Sequence, residues 1–509
     1  MISKKIFKNT MMLYFRQILL LLVSLYTVRI VLETLGVEDY GIYSVVAGIV
    51  TLCSFLSGSM ASATQRFFSF ALGKNDEKLL KTTFIVNISI FVLIGIVILA
   101  LLEGPGLWFV SNHLNVPIER AEEAYFLYQC SVFTFFFTVL TAPLIAIIIS
   151  HEDMEYFALI SIIEAIIKLA AVFALVHLPG DKLEVYGILL LIVSIFIMLC
   201  YASICFKKYA ECQLHTFYWD SSLVKEVFSF TGWSLFGQLS TAARLQAVTI
   251  LINQFFNPSA AAARAIAITI SSKINIFSNN FNTGLYPSIV KSYANKNNEE
   301  LFSLICNGSK LTFFLMWVFA LPLLIEMETV LTIWLTDLPD QVVLFSKLAL
   351  VESLVLSISL PIATAARAPG KMKAYELTLG ILQLSIFVIA YIVLNLGFPA
   401  YSVFVVAISI NVVMFFARLK LVSGLIGLPI PLFIKQACIP ISSLVIISSL
   451  FAYVSHLLLP NGIFSSLFTI FSCILVSSIT MFYVGLDKAW REKVLTLLRK
   501  KIFNKERAK

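Results

Sequence analysis

The 509-residue chain is short of charge, of paired cysteines and of every compact motif that marks an enzyme. Charged residues make up 13% of it against 59% hydrophobic, with a mean hydropathy of +0.93. That balance leaves no room for a soluble domain of ordinary size. No two of the eight cysteines form a Cys-x-x-Cys pair, and Cys53, Cys130, Cys200, Cys438 and Cys473 sit in apolar runs. Buried thiols are therefore expected, and neither a disulfide framework nor a metal centre is supported. The five histidines are scattered, and neither His-Glu-x-x-His nor Gly-x-Ser-x-Gly occurs. There is no Gly-x-x-x-x-Gly-Lys-Ser/Thr loop to cradle a nucleotide, so the chain does not hydrolyse ATP itself and no cofactor is expected.

What the chain does have is continuous apolar runs of about 20 residues, the length that spans hydrocarbon as a helix. The expected fold is all-α, a polytopic membrane protein of about fourteen helices. Their approximate positions are 11–33, 41–64, 83–102, 124–149, 156–177, 185–206, 229–255, 259–285, 309–327, 342–366, 374–395, 400–422, 432–457 and 463–485. A β-barrel would need short alternating segments instead. Lys4, Lys5 and Lys8 precede the first run as in a signal peptide, but the run is too long and no small-residue cleavage site follows, so it is expected to stay as the first helix.

Roughly 28 of the 37 Lys and Arg fall in segments that share one side of the membrane, and only Arg120 and Lys182 fall in loops on the other. That bias places both termini in the cytoplasm. One inward loop, with His151, Glu152, Asp153 and Glu155, supplies no Lys or Arg of its own. The net charge of +8 looks at first like a nucleic-acid signal, yet the tail at 488–509 alone holds nine Lys and Arg directly after a span. Such a cluster anchors to anionic lipid headgroups, so membrane lipids and not nucleic acid are the expected partners.

The chain also repeats itself. Pro143 and Met154 enclose the turn after the fourth helix as Pro361 and Met372 enclose the turn after the tenth. The run from Gly73 to Leu79 after the second helix echoes that from Asn295 to Leu301 after the eighth. Six helices per repeat is an even number, which makes the two units parallel about an axis along the membrane normal. The expected organisation is an N-lobe at 1–215, a C-lobe at 216–425, two additional helices at 426–487 and the basic tail. Such a repeat within one chain favours two lobes rocking about a central site.

Charges inside the spans mark where that site lies, because each costs roughly 2.5 to 3.5 kcal/mol on insertion scales. They are Arg16, Arg29, Glu33, Glu164, Lys168, Arg244, Arg264, Lys273, Lys347 and Glu352. Arg16 and Lys347 lie near helix ends, within snorkelling reach of the headgroups. Arg29 with Glu33, and Glu164 with Lys168, are four apart and positioned to neutralise each other. Arg264, Ser271, Asn275 and Asn282 share one stripe of the eighth helix, and Gly237, Ser240 and Thr241 share a face with Arg244 on the seventh. A stripe of that length is expected to line a water-filled cavity or the lobe interface. Lys273 projects opposite Arg264. The row Ser54, Gly58, Ala61, Gln65 on the second helix reads as close helix packing. A cation-rich interior suits an anionic substrate, and the guanidinium fork matches phosphate oxygens.

Between the first two helices, Leu35-Gly36-Val37-Glu38-Asp39-Tyr40-Gly41-Ile42-Tyr43 resembles the Leu-Gly-Pro-Glu-x-Tyr-Gly-x-Tyr signature of bacterial polysaccharide-unit flippases, O-antigen flippases among them, of the multidrug, oligosaccharidyl-lipid and polysaccharide (MOP) exporter superfamily. Val37 stands where the family most often has Pro, and many O-antigen flippases have twelve helices. The lipid II flippases resemble this chain in having fourteen, but they draw Arg from the first, second and eighth helices, and here the second helix has no mid-membrane Arg. The resemblance implies translocation of an undecaprenyl-pyrophosphate-linked oligosaccharide across the bacterial inner membrane by alternating access, with H+ or Na+ coupling and with polysaccharide polymerase or assembly proteins as partners. Taken with the intramembrane charges, substrate contact is expected from Arg264 and Arg244, with Arg29, Lys273, Asn275 and Asn282 in support, and the coupling ion at Glu33 or Glu164. Two alternatives remain: a multidrug or small-molecule antiporter of the same superfamily, and a membrane glycan polymerase or ligase. The second needs an outward loop that holds a reaction site, and no loop here exceeds about twenty residues.

Overall fold

Hydrocarbon offers no hydrogen-bond partner to a peptide group, so an apolar run must satisfy its own backbone, and in the computed structural model the runs do so as helices. The structure describes residues 2–51, 54–108, 110, 118–213, 219–256, 258–334, 339–458, 462–485 and 491–492, and among them there is no strand. The all-α expectation is met. The helices are α1 (Ile2–Thr51), α2 (Ser54–Lys74), α3 (Glu77–Leu101), α4 (Ala121–Ser150), α5 (Met154–His177), α6 (Lys182–Lys208), α7 (Ser221–Phe255) and α8 (Pro258–Ala294). There follow α9 (Asn298–Trp334), α10 (Val342–Ile358), α11 (Leu360–Arg367), α12 (Lys373–Asn395) and α13 (Ser402–Ile426). The last two are α14 (Ile430–Leu458) and α15 (Phe464–Gly485).

Eleven described helices are long and apolar enough to cross a membrane, and α10 with α11, bent by 40° at their junction, makes a twelfth. The two other expected spans, 11–33 and 41–64, fall on α1 and α2, and residues 52 and 53 lie outside the described residues. Length and composition thus support twelve of the fourteen crossings. Of the expected basic tail only Arg491 and Glu492 are described. The seven described cysteines are free thiols; Cys53 lies outside the described residues.

The chain clusters into two compact units. The first comprises Met1–Leu239, Thr283–Asn298 and Gly370–Lys373, and the second Ser240–Asn282, Glu299–Pro369 and Ala374–Lys509. In the first, α4 packs on α2, α3 and α6 while α1 packs on α5. Phe68, Phe84, Ile147, Ile148, Tyr201 and Cys205 form its main core. In the second, α10 packs on α13 and α14 on α15. Its core gathers Phe314, Met327, Phe345, Leu350 and Leu444 around Trp317, whose indole N–H donates to Ser448 Oγ at 2.9 Å and ties α9 to α14. The two added helices also hold α9 at its bend. Glu326, where the helix leaves regular geometry, lies 2.9 Å from His456 Nδ1 on α14, and Thr329 lies 3.2 Å from Ser466 on α15.

The signature loop becomes a corner of the first unit. Gly36, at φ 78° and ψ 172°, breaks α1 into two arms in a conformation that essentially only glycine adopts. Leu35 then joins Val31, Val172, Leu175 and Tyr186 in a small core, and the Tyr43 ring meets the Tyr186 ring edge-on at 5.0 Å. Asp39 receives Arg120: the guanidinium Nε donates to Asp39 Oδ1 at 3.0 Å, Nη2 bonds the other carboxylate oxygen, and Nη1 donates to Asp181 Oδ2 at 2.5 Å. Asp181 is at the same time the N-cap of α6, accepting from the Leu183 and Glu184 backbone N–H groups. Lys182 caps the end of α5 through the carbonyls of Leu175, Val176 and Leu178. Both cations expected in outward loops therefore close local structure.

The inward loop that lacks basic residues takes them from elsewhere in its unit. Lys208 pairs with Asp153 and Lys291 with Glu152, each at 2.8 Å, and His151 lies 2.5 Å from Glu211. The sequence repeat reappears as repeated backbone geometry. Asn75 and Lys296 both stand at positive φ, 52° and 55°, and each is followed by the same pair of closing bonds, back to Leu72 and Ala71 in one case and to Tyr293 and Ser292 in the other. Glu152 and Gly370, 218 positions apart, both stand at positive φ, 63° and 80°.

Two outcomes follow for the corner. A Cβ at Gly36 would meet nothing within 4 Å, so Gly36→Ala isolates the backbone cost, and its thermal midpoint in detergent should fall by the equivalent of about 1–3 kcal/mol. Burial alone would raise the Asp181 carboxyl, but hydrogen bonds from Arg120 and from the α6 amides outweigh it and hold the group below its ordinary value. The stability gained is then present above the ordinary carboxylate range, near pH ~4, and lost as pH falls through the depressed value. Arg120→Ala should cost about 1 kcal/mol at neutral pH, and the gap between variant and parent should close in acid, measured as midpoints across a pH series.

Candidate anion site in the second unit

Arg244 lies on α7 and Arg264 on α8, 5% and 4% exposed, which for an arginine requires partners. Arg244 finds a carboxylate. Its Nη1 lies 3.0 Å from Glu352 Oε1 on α10, and the same oxygen accepts from Asn411 Nδ2 on α13, also at 3.0 Å. Among the described residues Arg264 finds neutral acceptors: its Nη1 donates to Thr249 Oγ1 and, at 3.4 Å, to the Leu245 carbonyl on α7. The Leu245 carbonyl it reaches is the chain neighbour of Arg244. The Nε atoms of Arg244 and Arg264 are buried without a hydrogen-bond partner, as is Asn411 Oδ1. The cluster thus carries two guanidiniums against one carboxylate, with donors to spare.

The polar stripe of the eighth helix is turned, at three of its four positions, onto neighbouring helices of the same unit. Arg264 reaches α7, Asn275 donates to Ser353 Oγ on α10 at 2.9 Å, and Asn282 donates to Thr364 Oγ1 on α11 at 3.2 Å. Ser271 is buried and bonds its own helix at Ile268. The stripe satisfies much of its polarity by stitching helices together, as amide and hydroxyl groups do where water is scarce. Lys273 is exposed, on a different face from the buried Arg264, as their angular separation on the helix requires.

The remaining expected residues lie in the first unit. Glu164 pairs with Lys168 at 2.6 Å, the i,i+4 neutralisation read from the spacing. Glu33 is exposed, and the side chain of Arg29 lies outside the described residues. Arg16, expected near a helix end, lies against an aromatic ring. Its guanidinium stacks over Phe157 at 4.3 Å, with Nε and Nη1 buried and lacking hydrogen-bond partners.

Arg66 is not among the intramembrane charges singled out from the sequence. It is 3% exposed, lies over Phe67 at 4.4 Å and Phe70 at 5.3 Å, and pairs with Glu226 at 3.2 Å. Gly370 packs so closely on this guanidinium that a Cβ would come within 2.5 Å of Nη2. The available signal was the aromatic run Phe67, Phe68, Phe70 next to a cation, together with a glycine after Pro369.

The family model described as "Polysaccharide biosynthesis protein" matches residues 2–293, more than half of the chain. No curated protein matches it by sequence. Among solved structures it is similar to a point mutant of a MATE protein, at 14% identity and TM-score 0.72 over 83% of this chain and 97% of the other. It is also similar to an outward-facing multidrug resistance MATE family transporter of the MOP superfamily, at 14% identity and TM-score 0.70 over 84% and 96%. A third is a point mutant of the Vibrio cholerae MATE transporter VcmN, at 14% identity and TM-score 0.62 over 85% and 98%. At such identities the likeness is one of fold. The chain belongs to the polysaccharide biosynthesis protein family and is a multi-pass membrane protein with the fold of MOP-superfamily transporters.

Proposed function

We infer that this transporter is a flippase that carries an oligosaccharide linked to undecaprenyl pyrophosphate, an O-antigen or related repeat unit, from the inner to the outer leaflet of the bacterial cytoplasmic membrane by alternating access. The observation that carries this reading is the buried excess of positive charge in the second unit, two arginines facing one carboxylate with unpartnered Nε donors. A pyrophosphate supplies both the negative charge and the acceptor oxygens that such a cluster lacks. Arg264 and Arg244 are the proposed phosphate contacts, with Arg29, Lys273, Asn275 and Asn282 in support, and Glu33 or Glu164 as the place of a coupling proton or Na+. Coupling to the membrane potential supplies about 2.3 kcal/mol per charge per 100 mV. Both termini are placed in the cytoplasm by the charge bias of the loops.

A second reading, export of small drug-like molecules, draws on the multidrug transporter among the fold neighbours. Depletion separates the two. In cells losing this protein, lipid-linked oligosaccharide should accumulate on the cytoplasmic face and return to normal on re-expression; unchanged intermediates with lost efflux of small cations would establish the second reading. Arg264→Ala at normal protein levels should lower glycan export by roughly ten- to hundredfold, the worth of one charge-assisted hydrogen-bond set, and Arg264→Lys should recover only part of it. Intact export in Arg264→Ala would remove this residue from the phosphate site.

A further inference from the structure

We propose that Glu352 is a built-in counter-ion of the anion site: it holds Arg244 while the site is free of cargo, yields it to a pyrophosphate diester, and takes up a proton from water as it does so. The inference rests on the flippase reading for the identity of the cargo, but not for the behaviour of the carboxyl.

Three observations lead to it. First, among the described residues Glu352 Oε1 is the carboxylate oxygen in contact with Arg244, and it is shared with Asn411 Nδ2 at the same 3.0 Å. Cargo oxygens reaching for Arg244 therefore meet a competitor already in place. Second, Asn411 is 2% exposed and its Oδ1 is buried without a donor. An ionised carboxylate has no hydrogen to offer that oxygen, whereas a carboxylic acid does. A protonated Glu352 forms the closed acid–amide pair, Nδ2–H to one carboxyl oxygen and O–H to Oδ1, so the pocket holds a finished partner for the neutral form. Third, the charges balance in one arrangement only. Among the described residues the charged groups that geometry brings to this cluster are Arg244 from α7, paired with Glu352, and Arg264 from α8, which reaches the Leu245 carbonyl next to Arg244, while α13 contributes the neutral Asn411. With Glu352 ionised the cluster carries one net positive charge. With Glu352 protonated it carries two, the complement of a pyrophosphate diester, which bears two negative charges at neutral pH. The O–H bond forms with a proton from solvent; no other bond is made or broken.

The consequence is a link between cargo and protons. Binding that takes up one proton strengthens as pH falls, by up to tenfold per pH unit. The experiment uses the full-length protein in nanodiscs with two probes, P1,P2-dimethyl pyrophosphate, a diester that keeps two negative charges across the pH range used, and a short-chain prenyl-pyrophosphoryl sugar. Calorimetry in buffers of different ionisation enthalpy counts the protons. Wild type should take up close to one proton with either probe, and Glu352→Gln should take up none, bind about tenfold more tightly near neutral pH and lose the pH dependence. As a check that does not depend on the variant folding, infrared difference spectra of the wild type on adding probe should gain a protonated-carboxyl band. Binding of both probes without proton uptake or that band overturns the counter-ion and leaves the flippase reading standing. Proton-linked binding of the dimethyl diester alone upholds the counter-ion and removes the lipid-linked cargo, and failure of both probes to bind overturns both.

Discussion

A charge taken out of water must be met by another charge or by a tight set of hydrogen bonds, and most of what is specific about this molecule is how that requirement is discharged. Glu164 turns to Lys168 one turn away, Glu326 to His456 across two helices, and Arg244 to Glu352 across a sequence separation of 108. Replacing one member of a buried pair costs about 3–5 kcal/mol, because the other is left alone. Against that background Arg264, held by a hydroxyl and a carbonyl, stands out. Its Nε is buried and has no hydrogen-bond partner among the described residues, and the proposed anion contact rests on that.

The helices and their approximate limits were legible because an apolar run long enough to span hydrocarbon has few other uses. The i,i+4 pair of Glu164 and Lys168 was legible because helical geometry fixes it locally. The partner of Arg244 was not. Glu352 stood among the intramembrane charges, but nothing local connects α7 to α10, and only packing selects that carboxylate. Asn275 and Asn282 were placed correctly on the stripe of Arg264, yet their hydroxyl partners Ser353 and Thr364 belong to other helices. Arg16 read as a cation near a helix end. The aromatic ring that holds it, Phe157, lies on another helix and gives no signal in the local sequence.

The repeat was legible as residue identities, and its physical content is a set of turns. The same pair of closing hydrogen bonds follows Leu72 and Tyr293, and the turns after the fourth and tenth helices both pass through a residue of positive φ. In one copy that residue is Glu152 and in the other Gly370. The difference has a local cause. Glu152 uses its side chain to meet Lys291 at 2.8 Å, whereas at Gly370 the Arg66 guanidinium occupies the space a side chain would need.

The Arg120 hub bears on how such a chain is assembled. Besides Glu123, one turn on from Arg120, its members come from separate parts of the chain: Asp39 from the second arm of α1, Arg120 from the approach to α4, and Asp181 from the start of α6. Arginine resists translocation, which makes the outward position expected for Arg120 from the charge bias an exceptional one. The hub closes only when all three connections have been threaded to the same face of the membrane. A chain with one of these hairpins on the opposite face would separate Asp39 or Asp181 from Arg120, so the cluster ties the insertion sense of three separate hairpins to one another.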